Sequence, residues 1–162
     1  MKPFIGTKMI LARPMGRGEY NTYRGWECPA DENPEDEGFL VEYVDGGKAN
    51  HPDHAGYISW SPKDVFERAY RPTSGLDFGM ALQALRAGLR VARAGWNGKG
   101  MFVYYVPAAA YLAQTGVARE YFGKHAHVPY APYLAIKNVN ETVSTWVPSI
   151  NDCLAEDWAI VE

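Results

Sequence analysis

Six consecutive residues, Met101-Phe102-Val103-Tyr104-Tyr105-Val106, constrain the fold more than any other part of the chain. Aromatic and β-branched residues favour a pleated strand. Period-two alternation places Phe102, Tyr104 and Val106 on one face and Val103 and Tyr105 on the other. Because neither face is polar, the run predicts a strand covered on both sides. Immediately before it stands Gly95-Trp96-Asn97-Gly98-Lys99-Gly100, which is poor core material: glycine buries no side chain and lysine resists burial. It is good ligand-binding material. Glycines let backbone amides approach an anion, an indole offers a flat face to a base or sugar, and a carboxamide both donates and accepts hydrogen bonds.

Around this run the sequence predicts a second unit of small α+β character. Asp77 is placed to N-cap a helix whose apolar stripe is Phe78, Leu82, Leu85 and Leu89, and Gly88 ends it. Residues 89–93 read as a short strand entering the glycine-rich stretch. Tyr133–Lys137 and Thr142–Val147 form a hairpin around Val139-Asn140. The segment 107–131 reads as a loop or short helix, and the chain closes with a turn, a short helical segment and a last strand.

The first 71 residues predict a smaller unit. Strands are expected at Thr7–Met15, ended by Pro14 and a Gly16–Gly18 turn, at Phe39–Val44, and at Tyr57–Trp60 as its hairpin partner. The loop Asp31–Glu37 is expected to be solvated because its charges cannot pack. Ser61-Pro62-Lys63-Asp64 predicts a helix with Ser61 as N-cap, Asp64 returning the cap, and Trp60 stapled to Val65. Phe66, Ala69 and Tyr70 share one face of that helix. Residues 72–75 form the linker, and residues 76–162 the second domain.

Bulk properties exclude some functions. A chain of 162 residues with a net charge of −3 lacks the basic excess of a general phosphate-backbone binder, so DNA and RNA are not expected partners. Cys28 and Cys153 lie far apart without metal-ligand spacing, and no apolar N-terminal segment reads as a leader or membrane span. A cytosolic protein with reduced thiols, no cofactor and no membrane association is the expectation. His51-Pro52-Asp53-His54 and His125-Ala126-His127 lack further ligands in a recognisable pattern; they are read as exposed loop histidines, and no metal is assigned.

Two readings compete at each candidate site. Trp96 and Asn97 either recognise a base and ribose or pack locally. Gly98-Lys99-Gly100 either cradles phosphate or forms a tight turn, the commoner use of two spaced glycines. A ligand with two phosphates needs cations, for which Arg90, Arg93, Lys99, Arg119 and Lys124 are the candidates. Asn151, Asp152, Glu156 and Asp157 suit caps, solvated charges or ribose contacts better than acid/base catalysis, since no nucleophile and base accompany them. Trp146 and Trp158 read as core or interface residues.

The opening helix, Gly95–Phe102, Trp146-Val147-Pro148-Ser149 and Leu154-Ala155-Glu156-Asp157-Trp158, in that order, resemble the Thoeris anti-defence 2 (Tad2-like) family of phage proteins over residues 76–162. Ile150 and Asn151 stand where family members often carry Gln and Thr. Residues 1–71 resemble a segment common in small phage and prophage proteins, around Gly56–Pro62. The resemblance implies a non-enzymatic sponge that sequesters cyclic ADP-ribose isomers made by bacterial TIR-domain enzymes, such as glyco-cyclic ADP-ribose, and in some members cyclic dinucleotides. It implies a homo-oligomer, typically a tetramer, working in the cytoplasm of the bacterial host cell. The ligand set on this chain is then Arg93, Trp96, Asn97, Gly98, Lys99, Gly100, Phe102, Trp146, Ser149, Asn151 and Asp152. The expected fold is α+β, two small antiparallel sheets each with a packed helix, with ligand pockets between subunits. An enzyme cleaving the same nucleotides, or a phage structural module, are the alternatives.

Overall fold

The computed structural model describes residues 1–3 and 6–162. The fold is α+β, with antiparallel sheets, and the chain divides into two compact units, Met1–Arg71 and Pro72–Glu162.

The first unit is built on a three-stranded antiparallel sheet in the order β1-β2-β3, with β1 at Ile10–Pro14, β2 at Gly38–Tyr43 and β3 at Tyr57–Pro62. Alternation sorts its side chains. Leu40 and Ile58 face a helix α1, Arg17–Tyr23, and form a core with Met15 and Tyr20, flanked by Tyr23 and Trp60. On the other face Phe39 stacks on Phe66 of α2, Lys63–Ala69, with ring centroids 4.0 Å apart. The sheet thus carries two helices rather than one.

Helix α1 replaces the expected Gly16–Gly18 turn. Two glycines at its start give it weak intrinsic propensity, so packing and the neighbouring loop make it. Arg17 N–H and Gly18 N–H donate to Asp36 and Pro34 carbonyls, each at 3.0 Å. The acidic loop is correspondingly engaged rather than merely solvated: Arg17 pairs with Glu32 at 2.7 Å and with Asp36 at 3.3 Å, and Lys63 with Glu37 at 2.6 Å. Ser61 does not cap α2. It is still in β3, opposite Phe39, and Pro62 occupies the cap position without a side-chain bond. Sheet pairing has claimed the residue that local chemistry marked as a cap.

The second unit centres on a five-stranded antiparallel sheet in the order β10-β4-β5-β8-β9. The strands are β4 (Arg90–Arg93), β5 (Phe102–Val106), β8 (Tyr133–Lys137), β9 (Val143–Trp146) and β10 (Trp158–Val161). Helix α3, Phe78–Arg86, is capped by Asp77, whose carboxylate accepts from Met80 N–H at 2.8 Å. It ends at Gly88, with φ at +86°, in a pair of bonds from Gly88 and Leu89 N–H to the Leu85 and Ala84 carbonyls. That is the Schellman arrangement, which favours glycine. Ala81, Ala84 and Leu85 of α3 bury against Val91, Val103, Ile136 and Trp158.

Segment 107–131 is more ordered than expected. Strand β6 (Ala109–Leu112) pairs with β7 (His127–Tyr130), with helix α4 (Gly116–Phe122) between them, capped by Thr115. Pro129 lies inside this two-stranded ladder, opposite Ala110, where an edge position tolerates its missing N–H. The opposite face of the large sheet departs from expectation too: Val103 is fully buried beneath α3, but Phe102, Tyr104 and Val106 are only half-buried. Among the described residues no helix is long and apolar enough to cross a membrane.

Candidate functional site

Strand β4 ends at Arg93, and what holds the chain as it leaves the sheet is a carboxylate from the far end of the sequence. Asp157 accepts from Gly95 N–H at 2.8 Å and from Arg93 Nε at 2.7 Å, while its own carbonyl accepts from Ala94 N–H at 3.0 Å. The Arg93 Nη1 group reaches on to Asp152 at 3.0 Å. One guanidinium therefore bridges two carboxylates, a use that its planar fork of donors suits.

Asp152 belongs to a short helix α5, Ile150–Cys153, opened by Ser149. Its second carboxylate oxygen accepts from Ser149 N–H at 2.9 Å and from the Ser149 hydroxyl at 2.7 Å, and the hydroxyl accepts in turn from Asp152 N–H. This reciprocal capping box satisfies donors at the start of the helix. The Asp152 carbonyl accepts from Trp158 Nε1 at 3.0 Å, fixing α5 to the buried end of β10.

The electrostatics follow from these partners. Burial would raise the Asp152 carboxyl, but hydrogen bonds from Ser149, Arg93 and Trp96 outweigh it and hold the group below the usual carboxylate range. Asp157 is lowered chiefly by Arg93, with the Gly95 amide assisting against burial. The two carboxylates raise Arg93 further.

Over this clamp sit three indoles. Trp96 meets Trp158 edge-on at 5.5 Å and Trp146 at 6.2 Å, and Trp146 meets Trp158 at 5.9 Å. Trp158 is fully buried; Trp96 and Trp146 are half-buried. Trp96 thus packs locally while part of its surface stays open.

The fold brings Arg93, Trp96, Trp146, Ser149 and Asp152 into one connected cluster. Asn97, Lys99, Gly100 and Asn151 are exposed beside it, on the turn and on α5. Gly98 is closely approached by side chains: a Cβ there would lie 2.2 Å from Met101 Sδ and 2.5 Å from Val139 Cγ2. Gly100 adopts φ +72°, and its carbonyl accepts from Lys137 Nζ at 3.3 Å. Phe102 is separated from the indoles, because period-two alternation turns it to the sheet face away from α3.

Sequence reasoning treated Asp157 only as one of several late acids and passed over Lys137 altogether. No local pattern marks either. Asp157 acts on Gly95 across 62 residues and Lys137 on Gly100 across 37.

In the first unit, His51 and His54 are not exposed loop histidines; their side chains are 13% and 14% exposed. His54 Nδ1 bonds Glu42 at 2.7 Å and its Nε2 bonds the Tyr23 hydroxyl at 3.0 Å, while His51 stacks on the Tyr23 ring. His125 and His127 are exposed. Among the described residues no group of three or more His, Cys, Asp or Glu side chains is arranged to hold a metal.

Residues 76–161 match the Thoeris anti-defense 2-like domain. A curated protein named Thoeris anti-defense 2, from Bacillus phage SP01, is 39% identical over 87 residues, which is 53% of this chain and 94% of that protein. The matched span begins beside Asp77, the cap of α3, and runs through both halves of the Arg93 clamp into β10. Through its second unit, therefore, the chain belongs to the Thoeris anti-defense 2-like family.

Proposed function

We propose that the protein acts in phage anti-Thoeris defence by binding a cyclic nucleotide immune signal and sequestering it uncleaved. The ligand class is the cyclic ADP-ribose isomers, glyco-cyclic ADP-ribose among them, with cyclic dinucleotides as the second class. The binding form is a homo-oligomer in the host-cell cytoplasm, of which a tetramer is the expected size. The observation that carries this reading is family membership over the whole second unit: nearly the full length of the phage relative aligns with it. The anti-defence role accordingly belongs to residues 72–162, and residues 1–71 are an addition to it.

The site chemistry agrees with binding rather than turnover. A general acid needs a carboxyl raised toward neutrality, whereas Asp152 and Asp157 are both lowered and both spent on Arg93. What the cluster offers instead is a preorganised wall of half-buried indoles beside exposed Asn97 and Lys99. Sequestration requires only such fixed contacts, with affinity on the order of nanomolar to outcompete an effector.

The test is to mix the purified protein with a cyclic ADP-ribose isomer and, separately, with a cyclic dinucleotide, remove free ligand, denature by heat and identify what is released by mass spectrometry. Intact nucleotide recovered in proportion to protein is expected. Cleaved product would make the protein an enzyme, and no retained nucleotide of either class would remove the immune-signal reading.

A further inference from the structure

With Arg93 neutralised by two carboxylates, the cluster of indoles has lost the cation nearest to it. A nucleotide with two phosphates still needs positive partners. The sheet supplies them on its other face.

On the half-buried face of β5, Phe102 lies directly opposite Lys137 of β8. On its other flank, the Arg90 guanidinium of β4 sits over the Phe102 ring, 5.0 Å from the centroid. Tyr104 extends the aromatic surface, its ring centroid 6.0 Å from that of Phe102. The register explains the grouping. Val91 pairs with Val103 and points beneath α3 with it, so Arg90 and Ala92 emerge with Phe102 and Tyr104.

Arg90 has no acidic partner among the described residues, and the acidic partner of Lys137 is an exposed one. Among the described residues no carboxylate lies within 4.0 Å of Arg90, whose only charge-specific contact is the ring. Lys137 bonds the Gly100 carbonyl and pairs at 2.5 Å with Glu141, whose side chain is 79% exposed. A pair with so exposed a partner is held weakly, and Glu141 can yield its place to a better anion. The Gly100 contact also places the ammonium at the mouth of the Gly98–Gly100 turn, where Lys99 is exposed.

We infer that Arg90 and Lys137, on either side of Phe102, form a phosphate-holding surface on the sheet face opposite the indoles, and that a diphosphate-bearing nucleotide lies along this face with its anionic bridge between them. This rests on the sequestration reading and adds to it which charges do the holding. Arg90 serves as a stacked, fixed fork and Lys137 as a point charge released from Glu141.

The experiment measures binding of a cyclic ADP-ribose isomer to the full chain and to the variants Arg90→Met, Lys137→Met and Arg86→Met, with the mass of each assembly recorded alongside. Methionine keeps the aliphatic stem and removes the charge. Arg86, exposed on α3 across the sheet, is the control. Arg90→Met and Lys137→Met should each weaken binding roughly ten- to hundredfold, the loss of one charge-assisted contact, at unchanged assembly mass, while Arg86→Met binds as the unaltered chain does. An unaltered chain that binds while both variants bind within about twofold of it overturns this assignment alone. Weakened binding accompanied by a smaller assembly also overturns it, because the face would then meet a second copy of the chain. An unaltered chain that retains no nucleotide overturns the sequestration reading, and this inference with it.

Discussion

In the second unit the loop leaving β4 is fastened by a guanidinium shared between two carboxylates. In the first, the loop returning to β3 is fastened by a carboxylate, an imidazole and a phenol. The second-unit clamp joins Arg93 to Asp152 and Asp157, with bonds of 3.0 and 2.7 Å, and pins Gly95 through its amide. The first-unit chain runs from Glu42 to His54 to Tyr23, and Glu42 pins Gly56 through its amide at 2.9 Å in the same way. The geometry is parallel but the energetics differ. Where three formal charges meet in a partly desolvated place, removing one leaves two like charges facing each other. The far end of the first-unit chain is a single bond between the His54 ring and the Tyr23 hydroxyl, with no second carboxylate facing it among the described residues. The unit that matches the family is the one with the linkage that is harder to break.

Breaking the charged linkage should have the largest effect. Arg93→Met leaves Asp152 and Asp157 without their cation, and the second unit should lose about 3 kcal/mol, near the low end for a buried pair because Arg93 is partly exposed. Hydrogen exchange read peptide by peptide checks this. Protection should fall across residues 90–106 and 146–161 and hold in residues 8–62. Equal loss in both units would show that the clamp is not local to its own sheet.

Next comes a steric test of the first unit. A Cβ at Gly38 would lie 2.4 Å from the Ser61 carbonyl oxygen and 2.4 Å from the Trp60 ring, neither of which is a free side-chain end. Trp60 is held by its own bond from Nε1 to the Met15 carbonyl at 2.8 Å. Gly38→Ala should therefore cost about 2–3 kcal/mol, as overpacking of a fixed core does. Urea denaturation measures it. Gly75→Ala, which meets nothing within 4 Å, serves as the neutral counterpart.

These contrasts also mark where the sequence was readable. Elements whose signals are local came through: Asp77 and Gly88 bound α3, and the β8–β9 hairpin forms around residues 138–142. Helix α1 did not, because Gly16 and Gly18 spoke for a turn while its helical state depends on Tyr20 reaching Leu40 and Ile58. The Ser61 cap failed for the mirror reason, a good local signal overruled by strand pairing with Phe39. The β6–β7 ladder was hidden by Pro129 and by helix α4 between its strands. The indoles and glycines of the site could be picked out, but the clamp could not. Its members are separated by 59 and 64 residues, so only the folded chain shows that Arg93 serves the late carboxylates.

Acid treats both linkages alike, which separates charge from its arrangement. Asp152, Asp157 and Glu42 are all lowered in the folded chain; for Glu42 the bond from His54 is the main cause and the Gly56 amide the second. Groups lowered on folding contribute stability that is fully present above the unfolded carboxylate value, about 4, and is lost as pH falls through their folded values. Stability should therefore be flat in this respect from neutral pH down to about pH 5 and decline below about pH 4 in both units. Denaturant midpoints measured from about pH 6 to about pH 3 give the slope. In Arg93→Met the second unit should show a shallower decline, since part of its carboxylate shift is gone, while the first unit keeps its slope. An unchanged slope in the second unit would assign the shifts to Ser149 and the Gly95 amide rather than to the guanidinium.

The smallest effect expected is at the far end of the first-unit chain. Tyr23→Phe removes one hydroxyl and leaves His54 Nε2 without its 3.0 Å partner, while the ring keeps its stack on His51 at 4.3 Å. The loss should be about 1 kcal/mol, the net worth of one typical hydrogen bond. His54→Ala goes further up the same chain: it strips Glu42 of its main partner but leaves the Gly56 amide. It should cost more than Tyr23→Phe and less than Arg93→Met. Combining Tyr23→Phe with His54→Ala should cost no more than His54→Ala alone, because the hydroxyl has then lost the partner it served. Full additivity in that double-variant cycle would mean that Tyr23 and His54 act separately, and the likeness between the two linkages would reduce to their carboxylates.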